Sequence, residues 1–170
     1  MKWVDRKFAF DFPTHIYPEL IEQLRDTPAK ARKLTTNVAA ETLTRRHEGT
    51  WSIQENIAHL ADLDEETFVP RIDQFDANAE ELKPADMTNR ATEDAKHNDR
   101  SIEDVLSRFE KTRWTLTSRL AAKGPEYFDR TARHPRLDRP MRVVDLLYFK
   151  AEHDRHHLGR IRKLLAEARP

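Results

Sequence analysis

The sequence predicts an all-α protein, a four-helix bundle built as one domain over residues 1–170. Three observations carry this expectation. Four segments repeat apolar residues at helical spacing, a capping serine precedes two of them, and no segment reads as a convincing strand. A chain of 170 residues is the size of one ordinary domain with one core.

The first helix is marked by Ile16, Leu20, Ile21 and Leu24 and covers about Thr14 to Arg25. Asp26-Thr27-Pro28 then reads as a restart, because threonine caps and proline suits a first helical position; a short accessory helix is expected from about Pro28 to Val38. After a loop around His47 to Thr50, Ser52-Ile53-Gln54-Glu55 matches a capping box, in which the hydroxyl and the carboxylate each engage an open backbone amide. The second bundle helix starts there and carries Ile53, Ile57, Leu60, Phe68, Ile72 and Phe75. Pro70 should bend or divide it, since proline lacks the amide proton and clashes one turn back. Asp76 to Arg100 is polar, contains Pro84 and shows no period, which predicts a long connection of the functional or mobile kind. Ser101 caps the third helix, which runs through Val105, Leu106, Phe109, Trp114, Leu116 and Leu120 until Gly124 and Pro125 end it. Glu126 to Pro140 reads as loop, and the fourth helix runs from Met141–Val143 almost to Pro170.

Composition narrows the function. The 30 basic and 30 acidic residues balance, so net charge gives no reason to expect a nucleic-acid or membrane partner. With no cysteine there is no disulfide, thiolate metal site or cysteine nucleophile, and any metal must be held by nitrogen and oxygen. No run approaches the roughly 20 apolar residues of a membrane span. The start, Met1 to Phe12, lacks the apolar stretch of a signal peptide, and the expected location is the cytoplasm.

The histidines carry the chemistry. In Glu152-His153-Asp154-Arg155-His156-His157, His153 and His157 stand four residues apart on one helix face, interrupting the apolar stripe of Leu146, Ile161 and Leu164. His156 points about 100° away from that stripe, towards Arg160 and Lys163, and reads as an outer residue. The pair alone is equally consistent with two core imidazoles hydrogen-bonded to neighbours. His59, among Ile57, Leu60 and Leu63 on the second helix, shifts the balance towards a site for one divalent metal ion with an open position. Zinc or nickel suits three imidazoles, and iron or manganese is compatible. A zincin reading of His153-Asp154-x-x-His157 is poor, because position 163 is Lys163 and only 13 residues follow His157. A di-iron carboxylate bundle would need two ExxH motifs, which the chain lacks.

Around His59, Asn56 and Asp62 are polar groups one turn away; Asp62 is the candidate catalytic residue, as a base or an orienting group, against the reading of a solvated or ion-paired carboxylate. Trp51 is expected to pack at the helix start and Glu55 to cap it. Arg155, Arg160 and Arg162 read as a charged outer face sooner than as receptors for an anionic substrate, and His97 and His134 fall in loops.

Asp26-Thr27-Pro28, the run from Gly49-Thr50-Trp51-Ser52 through Glu55 and His59 to Asp62, His134-Pro135, and Glu152 to His157 together resemble the DinB-like and YfiT-like superfamily over about Phe8 to Leu165. The resemblance implies an up-down-down-up four-helix bundle, often a homodimer, with one divalent metal on residues matching His59, His153 and His157. It also implies a metal-dependent hydrolase, or a transferase using a low-molecular-weight thiol such as bacillithiol or mycothiol, acting on a small molecule. The alternative is a non-catalytic stress-response bundle with a structural metal or a dimer-mediated role.

Overall fold

The computed structural model describes residues 3–168. Four helices form the bundle: α1 (Tyr17–Thr35), α3 (Ile53–Leu63) continued by α4 (Val69–Asp76), α6 (Ile102–Ala121) and α7 (Val143–Glu167). Short helices α2 (Ala40–Thr44) and α5 (Arg90–Asp94) lie in the connections. The predicted continuation of the last helix to Pro170 extends outside the described residues.

Contacts fix the direction of each helix. Arg32 near the end of α1 pairs with Glu103 and Glu110 early in α6, so these two run antiparallel. Leu20 and Leu24 share one apolar cluster with Leu146 and Leu147, while Ala31 shares another with Leu158 and Ile161, so α1 and α7 run parallel. Asp62 pairs with Arg108 and Asp76 with Arg119, which sets α3–α4 parallel to α6. Asn56 meets His157 and Asp64 meets Lys150, which sets it antiparallel to α7. The result is the up-down-down-up arrangement.

Both serine caps form as expected. Ser52 Oγ accepts from the Glu55 amide at 3.1 Å while Glu55 accepts from the Ser52 amide at 2.8 Å, and Ser101 Oγ accepts from the Asp104 amide at 3.0 Å. Two segments depart from expectation, around Pro28 and before α7, and a third, at Pro70, meets it in an unexpected form. Pro28 does not restart a helix; it lies inside an unbroken α1. A proline there leaves the Leu24 carbonyl without its helical donor, and Arg113 Nη1 supplies one at 2.7 Å. At Pro70 the second helix is divided, as expected, but by a π turn and not by a loop. Asp64–Phe68 widens into a π turn, with the Val69 amide reaching back to the Asp64 carbonyl, and the helix resumes as α4. The predicted loop before α7 contains an antiparallel hairpin, β1 (Thr131–His134) on β2 (Arg139–Arg142). Each strand has four residues and one has a proline, too short a signal to register as alternation.

The core is divided. One apolar cluster holds Leu20, Leu24, Phe68, Leu116 and Leu146; the other holds Ala31, Ile57, Leu60, Phe109, Leu158 and Ile161. Every bundle helix crosses from one cluster to the other at a polar level, and there Arg113, Asp64, Lys150 and Asp154 meet, all 2% exposed or less. Arg113 Nε donates to Asp64 at 2.8 Å and Nη1 to Asp154 at 2.5 Å. Lys150 Nζ lies 3.0 Å from Asp64 and 2.8 Å from Asp154. Two cations and two anions balance, and burial of each is compensated by the others. In Arg113→Met, two buried carboxylates retain only Lys150. Urea denaturation should show a loss of about 3–5 kcal/mol; a change below about 1 kcal/mol would show that the network does not hold the helices together.

Candidate metal centre

His59 on α3 and His153 and His157 on α7 are all buried, and one ring nitrogen of each lies within 4.8 Å of the others. The spacing of the α7 pair brings their Nε2 atoms to 3.2 Å. Two imidazole nitrogens bound to one tetrahedral ion at about 2.0–2.1 Å stand about 3.3 Å apart.

The far side of two rings is tied down. His157 Nδ1 is 2.8 Å from Asn56 Oδ1. The Asn56 amide nitrogen donates to the carbonyls of Trp51 and Ser52, which leaves its oxygen to face His157. That oxygen only accepts, so His157 carries its proton on Nδ1 and keeps a lone pair on Nε2. Thr92 Oγ1 donates to Asp62 Oδ2 at 2.6 Å and lies 3.1 Å from His59 Nδ1. With its proton committed to Asp62, the hydroxyl accepts from His59, which again leaves the lone pair on Nε2. His153 Nδ1 is buried without a hydrogen-bond partner, and the Trp3 ring lies edge-on to its ring at 5.0 Å. The donors therefore fit a divalent cation: two lone pairs are oriented by fixed partners, and a third imidazole shares their space.

Burial pushes all three histidines towards the neutral, ligating form. His59 is lowered to about 3, first by burial and then by the Lys150 ammonium. His153 and His157 are lowered well below the ordinary value for the same first reason. Burial pushes the Asp62 carboxyl up, but hydrogen bonds from His97, Thr92 and Arg108 outweigh it and hold the group at about 2. The partners lie at 2.9 Å, 2.6 Å and 2.7 Å, so Asp62 is an ion-paired and buried carboxylate.

The expected long connection contributes more than its sequence suggests. Asn89 and Lys96, both at positive φ, bracket α5 and its following turn, and the segment brings Thr92 and His97 onto Asp62. His97, in the turn that follows α5, is 1% exposed. His134 is also buried, at the end of β1. Trp51 does more than pack at the helix start: its ring lies 4.6 Å from His59 and stacks 6.2 Å from His157. Glu55 is a cap, as predicted. Arg155, Arg160 and Arg162 are exposed, in keeping with an outer face. His156 is half-buried beside the Trp3 ring, with its centroid 5.7 Å away. Neither Thr92 nor His97 stands on an apolar stripe, so helical periodicity could not find them; Lys150 interrupts the stripe of Leu146, His153 and His157 and was visible in principle.

A helical bundle with a histidine cluster at its centre defines the class, and the chain belongs to the DinB superfamily, which it matches over residues 23–161. It is similar in structure to YfiT from Bacillus subtilis, described as a probable metal-dependent hydrolase with an unusual four-helix bundle topology. The TM-score is 0.78 at 19% identity, covering 95% of this chain and 93% of that one. It is also similar to a mycothiol-dependent maleylpyruvate isomerase, with a TM-score of 0.68 at 13% identity, covering 92% of this chain and 63% of that one. No curated protein matches the chain in sequence.

Thr92→Val removes the hydroxyl that orients His59 while keeping its volume. Zinc affinity, measured by competition with a chelator, should fall about 10–100-fold; unchanged affinity would mean that Thr92 does not orient the ring. A second outcome concerns pH. Unfolded histidines take up protons near 6.5, whereas folded His134 resists until about 4 and folded His59 until about 3. Because the unfolded state binds more protons in that window, stability of the metal-free protein should fall as pH drops from 6.5 towards 4. A urea midpoint that stays level over this range would contradict the assignment.

Proposed function

We propose that the protein is a metal-dependent enzyme acting on a small molecule, a hydrolase or a low-molecular-weight-thiol S-transferase, with His59, His153 and His157 as ligands to one divalent ion. The supporting observation is that three neutral imidazoles converge beside a cavity of about 310 Å³ that reaches His59 and His153. Three nitrogens and no thiolate suit zinc or nickel, with iron or manganese compatible. When bound, such an ion supplies Lewis acidity and lowers the pKa of a water or thiol entering its open position.

The protein's own residues hold the ligands. Asn56 fixes His157, Thr92 fixes His59, and Asp62 fixes Thr92. A carboxyl held at about 2 is a weak base near neutral pH, so Asp62 acts in this reading as a positioning residue. Of the two structural relatives, one is described as a probable metal-dependent hydrolase, and the other is an isomerase that depends on a low-molecular-weight thiol, mycothiol; both descriptions are in keeping with this reading. A homodimer belongs to the same reading. The alternative is a non-catalytic stress-response bundle with a structural metal or a dimer-mediated role; a closed site would favour the dimer-mediated role, whereas the cavity at His59 and His153 supports an open site, and metal removal separates the structural role.

Purified protein should contain roughly one divalent ion per chain, and His59→Ala should lose it. Stripping the metal should abolish hydrolase or thiol-transfer activity with a modest fall in Tm. Negligible metal in both proteins would sink the metal centre, and a large collapse in Tm without associated activity would favour the structural role.

A further inference from the structure

Arg71, on α4, lines the same cavity as His59 and His153. It is 3% exposed, nearly as deeply placed as the network residues, yet its surroundings differ from those of Arg113. Arg113 meets two carboxylates and a carbonyl. Arg71 makes one long hydrogen bond, Nη2 to the Lys83 carbonyl at 3.4 Å, and its Nε is buried with no partner. Among the described residues, no carboxylate lies within ion-pair distance of it. Arg136, a second cation, lines the cavity too. Burial, then the charge of Arg136, pushes the Arg71 guanidinium down to about 10. Asp86 also borders the cavity, but its oxygens accept from the Thr88 amide and hydroxyl and the Arg90 amide. A buried guanidinium without a counter-ion is costly, and a planar fork with an open Nε matches a carboxylate.

The cavity wall between the cations and the histidines is mainly apolar, with Trp3, Leu63, Phe68, Met87 and Phe149. We propose that Arg71 is the anion receptor of this site and that the substrate is a small molecule with an apolar body and a terminal carboxylate, held by Arg71 while its other end lies against His59 and His153. The orientation rests on the metal-centre reading; the carboxylate subsite rests on Arg71 alone.

The probes are butanoate, hexanoate, phenylacetate and 4-phenylbutanoate, each compared with its primary amide by calorimetric titration into zinc-loaded and metal-free protein. At least one acid should bind about tenfold or more tightly than its amide in both forms. Arg71→Met should abolish that preference, leave zinc content unchanged and hold or raise the Tm of the ligand-free protein, because an unpaired buried charge has gone. Arg71→Lys keeps charge without the fork and should retain part of the preference, which preserves the test if the methionine variant does not fold. The proposal is overturned if no acid binds, if acids and amides bind alike, if the preference survives Arg71→Met, as it would for a carboxylate bound only to zinc, or if Arg71→Met folds with a markedly lower Tm. Loss of zinc binding with the acid preference intact would instead remove the metal-centre reading and leave the subsite.

Discussion

The guanidinium of Arg113 touches each of the other three bundle helices: the Leu24 carbonyl on α1, Asp64 where α3 passes into the π turn, and Asp154 on α7. With Lys150 it forms a neutral quartet inside an otherwise apolar bundle. Apolar contacts are non-directional and can be remade by repacking at another register, whereas a buried charge displaced from its partner is left uncompensated at a cost of about 3–5 kcal/mol. The quartet therefore acts as a register lock between two apolar halves of the core. It also accounts for two irregularities in the backbone. The carbonyl freed by Pro28 receives its donor from Arg113, and the π turn begins at Asp64, whose carboxylate is held by Arg113 and Lys150.

The histidine cluster depends on that lock. Asp154 and His153 are consecutive on α7, and Asp64 and His59 are five residues apart on the second helix. A shift between those helices would separate the histidines as surely as it would break the ion pairs. Lys150 adds an electrostatic effect, since its buried charge disfavours protonation of the imidazoles. Structural support and ligand basicity thus share a side chain. The long connection supplies the rest, with Thr92 and His97 meeting Asp62 and passing orientation to His59.

Two buried arginines show how the same residue serves different ends. Arg113 is saturated with partners; Arg71 is also buried, but left with an open Nε beside a cavity. The first stabilises the fold. The second stores unfavourable energy that a carboxylate ligand would release, in line with the tension between stability and function at binding sites.

The sequence by itself determined the bundle, the two serine caps, the start of the second helix, and the HxxxH face that turns towards His59. All of these arise from interactions within a turn or two of chain, where spacing alone decides which side chains are neighbours. Tertiary structure decided the rest. Pro28 looks like a helix start because its compensating donor, Arg113, is 89 residues from the Leu24 carbonyl it serves. Thr92 and His97 look like loop residues because their meaning lies in Asp62, at sequence distances of 30 and 35. The pairing of Asp64, Arg113, Lys150 and Asp154 is not legible along the chain, where Lys150 shows only as a break in an apolar stripe, since only the folded bundle removes water from all four at once and makes each the condition for burying the others.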